Sequence, residues 1–220
     1  MGLPPTESRQ YGLYLGWALV RSAEKANAPC LRAILDLSDP AVDATIADSS
    51  GLTALAHLAE RGESDELGEL LRRSDVRCPA WPCRAPLCLA GARGHLSTVA
   101  LLLQAQAHVD ASDAESRSPL ELASLAGHLP IVAALLRGRA SVAQAAAEDG
   151  RTALHRAASR DHADVVRALV AAGADQTKVD AWNHTPLAIA LQNGHASAAE
   201  ALTESPQAAA AEATYERSEV

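Results

Sequence analysis

Apolar side chains return along this chain at spacings of three and four residues, in short runs broken by glycine or by a polar turn, the signature of amphipathic helices rather than strands. The pattern is cleanest between Asp149 and Asp175, where it predicts one helix over Ala153–Arg160 and a second over Ala163–Ala171. Thr152 stands as the N-cap of the first, its hydroxyl placed to satisfy a free backbone N–H, and Gly173 follows the second where a left-handed cap is usual. Ala157 and Ala158 are small enough to let the helices approach closely. Val165, Val166, Leu169 and Val170 form an apolar stripe that nothing inside the pair can cover. Helices this short do not hold together alone in water, so the pair needs a neighbour on each side.

The neighbours exist. Taking Leu154 as an anchor, the same pattern surrounds Leu55, Leu87, Leu120 and Leu187, at intervals of 32, 33, 34 and 33 residues. Seven residues past each anchor stands Gly62, Gly94, Gly127, Asp161 or Gly194, and His95, His128 and His195 follow three of the glycines. Helix starts read Thr53-Ala54-Leu55-Ala56, Ser118-Pro119-Leu120-Glu121, Thr152-Ala153-Leu154-His155 and Thr185-Pro186-Leu187-Ala188. In period and in these segments the chain resembles the ankyrin repeat, a β-turn plus a helix pair with a T-P-L-H-x-A signature. The resemblance implies an all-α fold, an α-solenoid of helix–turn–helix units linked by hairpin loops.

The expected organisation is a flexible leader over residues 1–13, a degenerate capping helix pair over 14–41, five repeats over 42–203 and a polar, alanine-rich tail over 204–220. In the cap, Val20 takes the anchor place, Asn27 stands where glycine would be, and Pro29 sits in the first turn of the second helix. Asp48, Asp113 and Asp180 occupy hairpins. The fifth repeat's hairpin, Ala143 to Ala147, has one extra residue and lacks the aspartate, and the sixth repeat's last helix, Ala196–Thr203, suits a solvent-facing end cap.

Composition supports stacked helix pairs over a conventional globule: 48% of residues are hydrophobic, yet there are three Trp, three Tyr and no Phe, so Ala, Leu and Val must fill the core. A formal net charge of −8 argues against nucleic acid as the main partner. No apolar run reaches the length of a membrane span, and no secretory leader opens the chain. Four cysteines without a paired framework fit a cytoplasmic or other reducing, soluble compartment.

Nothing in the sequence forms a nucleophile or acid–base constellation, so the expectation is a protein that is not an enzyme and needs no cofactor. Histidines 95, 128 and 195 recur at one repeat position, which in the resembled family is structural, tying the helix pair through backbone groups. Cys78, Cys83 and Cys88, with His57 and His95, are the right ligand types for Zn²⁺; their wide spacing among prolines favours free thiols instead. Gly2 lies in an N-myristoylation pattern ending at Thr6, and Val220 closes a short PDZ-ligand ending. Both patterns are cheap to match by chance.

In the resembled family partners meet the hairpin tips and the concave face of the first helices. Carried onto this chain, those places point to Arg61, Trp81, Arg84, Arg93, Glu115, Arg117, Leu125, Arg151, Arg160, Trp182 and His184 as partner-binding residues. Six of the ten places three before and six after an anchor are arginine, in a chain with only two lysines. Arginine's planar fork suits carboxylates, and exposed tryptophan is enriched at binding hot spots. The expectation is a non-catalytic adaptor or scaffold that grips another protein, through an acidic segment, on this arginine-rich face. The alternatives are a fixed accessory subunit of a large assembly, and a cysteine-based metal- or redox-responsive module.

Overall fold

The computed structural model describes residues 5–36, 45–72 and 85–204, with side chains from residue 12 onward. Twelve helices occupy these residues in six consecutive pairs: α1 (Pro5–Glu24) and α2 (Ala28–Asp36), α3 (Ala54–Arg61) and α4 (Ser64–Arg72), α5 (Pro86–Arg93) and α6 (Leu96–Gln104), α7 (Pro119–Ala126) and α8 (Leu129–Arg137), α9 (Ala153–Ala158) and α10 (Ala163–Ala171), α11 (Pro186–Gln192) and α12 (Ala196–Thr203). Odd-numbered helices pack on one another in chain order, and so do the even-numbered ones, giving two layers in single file. Among the described residues there is no strand, only the isolated bridges Ala47 with Thr53 and Ala145 with Thr152 at the base of two hairpins.

The five anchor leucines share one environment, each buried to 3% exposure or less. They belong to one apolar cluster that runs from Leu19 to Leu202 through every pair. Short helices therefore borrow their stability from adjacent units, as a quasi-one-dimensional stack requires.

Aspartate organises three of the hairpins. The carboxylates of Asp48, Asp113 and Asp180 each accept amide protons from the residues two and four ahead, at 2.7–3.0 Å. In the fifth repeat that aspartate is missing and the hairpin is one residue longer, closing through Ala146 N–H to the Arg151 carbonyl at 3.0 Å. Asp149 supplies part of the lost bonding by accepting the Arg151 amide at 3.1 Å.

Several expectations need correction. Helix α1 begins at Pro5, so most of the segment read as a leader (residues 1–13) is helical. Its anchor is Leu19, not Val20: Asn27 N–H bonds the Ser22 carbonyl just as His95 N–H bonds that of Ala90, which aligns Asn27 with the histidine position. Ala26, at φ 53°, then fills the left-handed place that the reading gave to Asn27. Asn27 instead caps α2, its side chain accepting the Cys30 amide at 3.2 Å. Alanine pays a steric penalty at that φ. Ala26→Gly is expected to raise stability by about 0.5–1 kcal/mol in chemical denaturation.

Helix α9 stops at Ala158 rather than Arg160. Its left-handed residue is Asp161, at φ 59°, where the four other repeats have glycine at 71° to 87°. The substitution has a use: the Asp161 carboxylate accepts Ala198 N–H at 2.8 Å, capping the first turn of α12.

Candidate functional site

The hairpin tips and the exposed ends of the odd-numbered helices carry the expected binding residues, and the structure places them one repeat at a time. Arg61, Arg93 and Arg160 are exposed at or just past the ends of α3, α5 and α9, while Arg117 and Arg151 are half-buried in hairpins. The arginines are accompanied by acids. Arg61 Nε lies 3.7 Å from Glu63, and Arg93 reaches back one repeat to Glu60 at 2.7 Å. Arg117 holds Asp113 through Nε and Nη2 at 2.9 and 2.7 Å and also contacts Glu115, the tip acid singled out from sequence. Arg151 donates to Asp180 of the next hairpin at 3.1 Å. Arg160 alone of these five has no ion-pair partner among the described residues.

The sixth hairpin is the most developed tip. Trp182 is 59% exposed, and the Arg151 guanidinium covers one face of its ring at 5.2 Å from the centroid. Beneath them the Asp180 side chain is fully buried, with His184 Nδ1 at 3.6 Å. Burial opposes its charge, but the His184 amide, the Arg151 side chain and the Trp182 amide outweigh it and hold the carboxyl below its usual range. Leu125 is half-buried, and its carbonyl accepts a bond from His162 Nε2 at 3.2 Å, so its backbone is structural. Trp81 and Arg84 lie outside the described residues, as do Cys78, Cys83, Gly2 and Val220.

Residues 87–136 match a family model for ankyrin repeats in many copies, and residues 138–213 match one for three ankyrin-repeat copies. The chain belongs to the ankyrin-repeat family. No curated protein matches it. Ankyrin repeats are in general protein-interaction modules and in general non-catalytic. The matches begin at residue 87; the two helix pairs before it join the ankyrin array through the shared register of Gly62 and of the Asn27 bond.

Two of the three histidines expected to be structural, His95 and His195, bond between repeats rather than within a helix pair. His95 Nε2 bonds the Glu60 carbonyl at 3.0 Å, and His195 Nδ1 that of Ala158 at 3.1 Å. Sequence reading missed a fourth member, His162, because it looked for the Gly-His dipeptide and Asp161 replaces the glycine. Counting eight residues from the anchor finds it. His155 works in both directions: its Nδ1 accepts the Thr152 amide at 3.2 Å, and its Nε2 lies 3.2 Å from the His184 carbonyl of the next repeat. Those partners place the proton on Nε2, and burial holds the imidazole neutral, its pKa lowered to about 4.

Cys88 is buried, and its thiol donates to the Ala111 carbonyl at 3.1 Å, with that of Arg117 at 3.6 Å. Burial pushes its pKa up, which disfavours the thiolate that a metal or an oxidant would need. His57 is engaged with Asp48 at 2.8 Å and His95 with Glu60. Among the described residues no group of three His, Cys, Asp or Glu side chains could hold a metal ion, and no helix is long and apolar enough to cross a membrane.

Proposed function

We propose that this ankyrin array is a non-catalytic adaptor or scaffold that binds another polypeptide across its hairpin tips and the exposed ends of its odd-numbered helices. The observation that carries the reading is the end formed by repeats five and six. There an exposed tryptophan lies against a pre-positioned arginine, and Arg160 has no carboxylate partner among the described residues. A partner segment bearing carboxylates suits this face. Such a segment would have to compete with Glu60, Glu63, Asp113, Glu115 and Asp180 for the other four arginines. Arg160 therefore contributes most to the attraction, with Trp182 as the apolar anchor. Stacking fixes the surface beforehand, so little ordering entropy is lost on association.

Cross-linking in native extract with peptide identification supplies the partner, and purified protein supplies the test. The triple variant Arg93→Glu, Arg117→Glu, Arg160→Glu is expected to weaken binding at least tenfold, about 1.4 kcal/mol, with Arg160→Glu alone giving most of the loss. Unchanged affinity in a folded triple variant removes the acidic-segment reading.

A second reading, a fixed subunit of a larger assembly, draws on α1. Leu13, Tyr14 and Trp17 are 50%, 76% and 47% exposed there, an apolar face of the kind that marks contact surfaces. Co-purification at constant stoichiometry favours this reading over a transient adaptor.

A further inference from the structure

At two seams between repeats, the side chain one residue past the anchor leucine ties its helix to the next hairpin. Cys88 does so at the third seam, its thiol donating to the Ala111 carbonyl and lying 3.6 Å from that of Arg117. His155 does so at the fifth, through Nε2 and the His184 carbonyl. Both side chains carry a hydrogen to give. At the seam between repeats four and five the same position is Glu121, which as a carboxylate has none.

Glu121 is 1% exposed. Its Oε1 accepts the Ser118 amide at 3.3 Å, closing the capping box of α7. Its Oε2 has no hydrogen-bond partner and faces Arg156 Nε across 3.8 Å, within ion-pair range but beyond hydrogen-bond reach. Arg156 is held elsewhere: Nη1 lies 2.8 Å from Asp149 Oδ2 and Nη2 donates to Oδ1 at 3.1 Å, within its own repeat. Ser124, one helical turn from Glu121, is fully buried and its hydroxyl has no partner. Four buried side-chain polar atoms are unpartnered among the described residues, and three belong to this one seam: Glu121 Oε2, Ser124 Oγ and Arg156 Nε.

Two carboxylates share one guanidinium, which leaves a net negative charge, and Glu121 carries its share at 1% exposure while Arg156 and Asp149 keep some contact with solvent. A low-dielectric interior makes that costly, and a proton on Glu121 removes it and gives this side chain the hydrogen that Cys88 and His155 carry at the same position. We propose that the joint between repeats four and five is latched by a proton: closed while Glu121 is protonated, and opened to water when that proton leaves for solvent.

The charged surroundings support this reading. Asp149 in the fifth hairpin and the thiol of Cys88 on α5 gain nothing from a negative Glu121, Arg156 on α9 is committed to Asp149, and α8 packs with Ile131, Val132 and Leu135 and carries only Arg137, at its exposed end. Burial, opposed by the Ser118 bonds and Arg156, raises the Glu121 pKa to about 7. The latch would therefore work near neutrality. Opening it would part α7 from α9 and break the binding wall between Arg117 and Arg160.

Hydrogen exchange on the full chain tests the proposal, with intrinsic rates corrected for pH. Amides of 118–126 and 146–158 should open about tenfold more readily at pH 8 than at pH 6, by linkage to a pKa falling from about 7 to its ordinary value. Glu121→Gln, neutral and carrying its own N–H donor, should abolish the difference, while the Cys88 seam should show none in either protein. Equal opening at both pH values, or the same response in the glutamine variant, overturns the proposal. Should that variant fail to fold, carboxyl-carbon NMR of the native chain decides. A Glu121 titration near pH 7 supports the latch, and one coincident with the exposed glutamates refutes it.

Discussion

Gly127→Ala is expected to lower the stability of the whole array by about 2–3 kcal/mol, far more than a methyl group usually costs on a surface turn. Gly127 sits at φ 76° and closes α7. A β-carbon there meets left-handed strain of roughly 1–2 kcal/mol. It also lands 2.5 Å from His162 Cε1 and 2.6 Å from Nδ1, distances that real atoms do not tolerate. The imidazole must then withdraw, giving up its bond to the Leu125 carbonyl, worth about 1 kcal/mol net. Removing the ring separates the two costs. His162→Ala alone should lose about 1 kcal/mol, and the double variant should be about 1 kcal/mol more stable than the sum of the single effects predicts. Urea unfolding of the four proteins reads this directly. Strict additivity would show that the glycine and histidine are not in contact.

That pairing also marks how far the sequence could be read. Periodic leucines, glycines seven residues later and threonine or serine at helix starts report backbone requirements local to each unit, so they fixed the architecture and most helix bounds. The corrections fall where a different residue meets the same requirement. Ala26 and Asp161 take the left-handed place of glycine, which displaced the first anchor by one residue and hid His162. Pairings across repeats left no local mark. Whether Arg93 is free or held by Glu60 depends on two positions 33 residues apart, and the sequence shows two exposed charges either way. The arginine row was therefore legible as a row of positions, and its partial neutralisation by acids was not. Glu121 reads as an ordinary helix-cap glutamate until its second oxygen is seen facing an arginine already committed to Asp149.

Titration of stability offers the other large effect, because two buried groups in successive repeats pull in opposite directions. His155 is held neutral, with its pKa lowered from 6.5 to about 4. On acidification the unfolded chain binds its proton first, so stability falls as pH drops from about 6.5 to about 4, by roughly 3 kcal/mol in total. Glu121 is held protonated, with its pKa raised from 4.5 to about 7. The unfolded chain releases that proton first, so stability falls by a similar amount as pH rises from about 4.5 to about 7. Between about pH 4.5 and 6.5 the slopes oppose and cancel, and the native protein should show nearly constant stability there. The loop carboxyls Asp48, Asp175 and Asp180 have lowered values, so their stabilisation is lost only on going below the ordinary carboxylate range, outside this window. Each single variant should then expose the slope its partner conceals. Glu121→Gln should gain about 2 kcal/mol on going from pH 4.5 to 6.5. His155→Gln should lose a comparable amount over the same range, on top of a uniform penalty for its weakened link to the His184 carbonyl. Denaturant midpoints at four pH values suffice, and flat profiles in both variants would mean that neither group is held in the protonation state its burial demands. Because the two residues occupy the same place in adjacent repeats, the choice between glutamate and histidine there sets the direction in which each seam responds to pH.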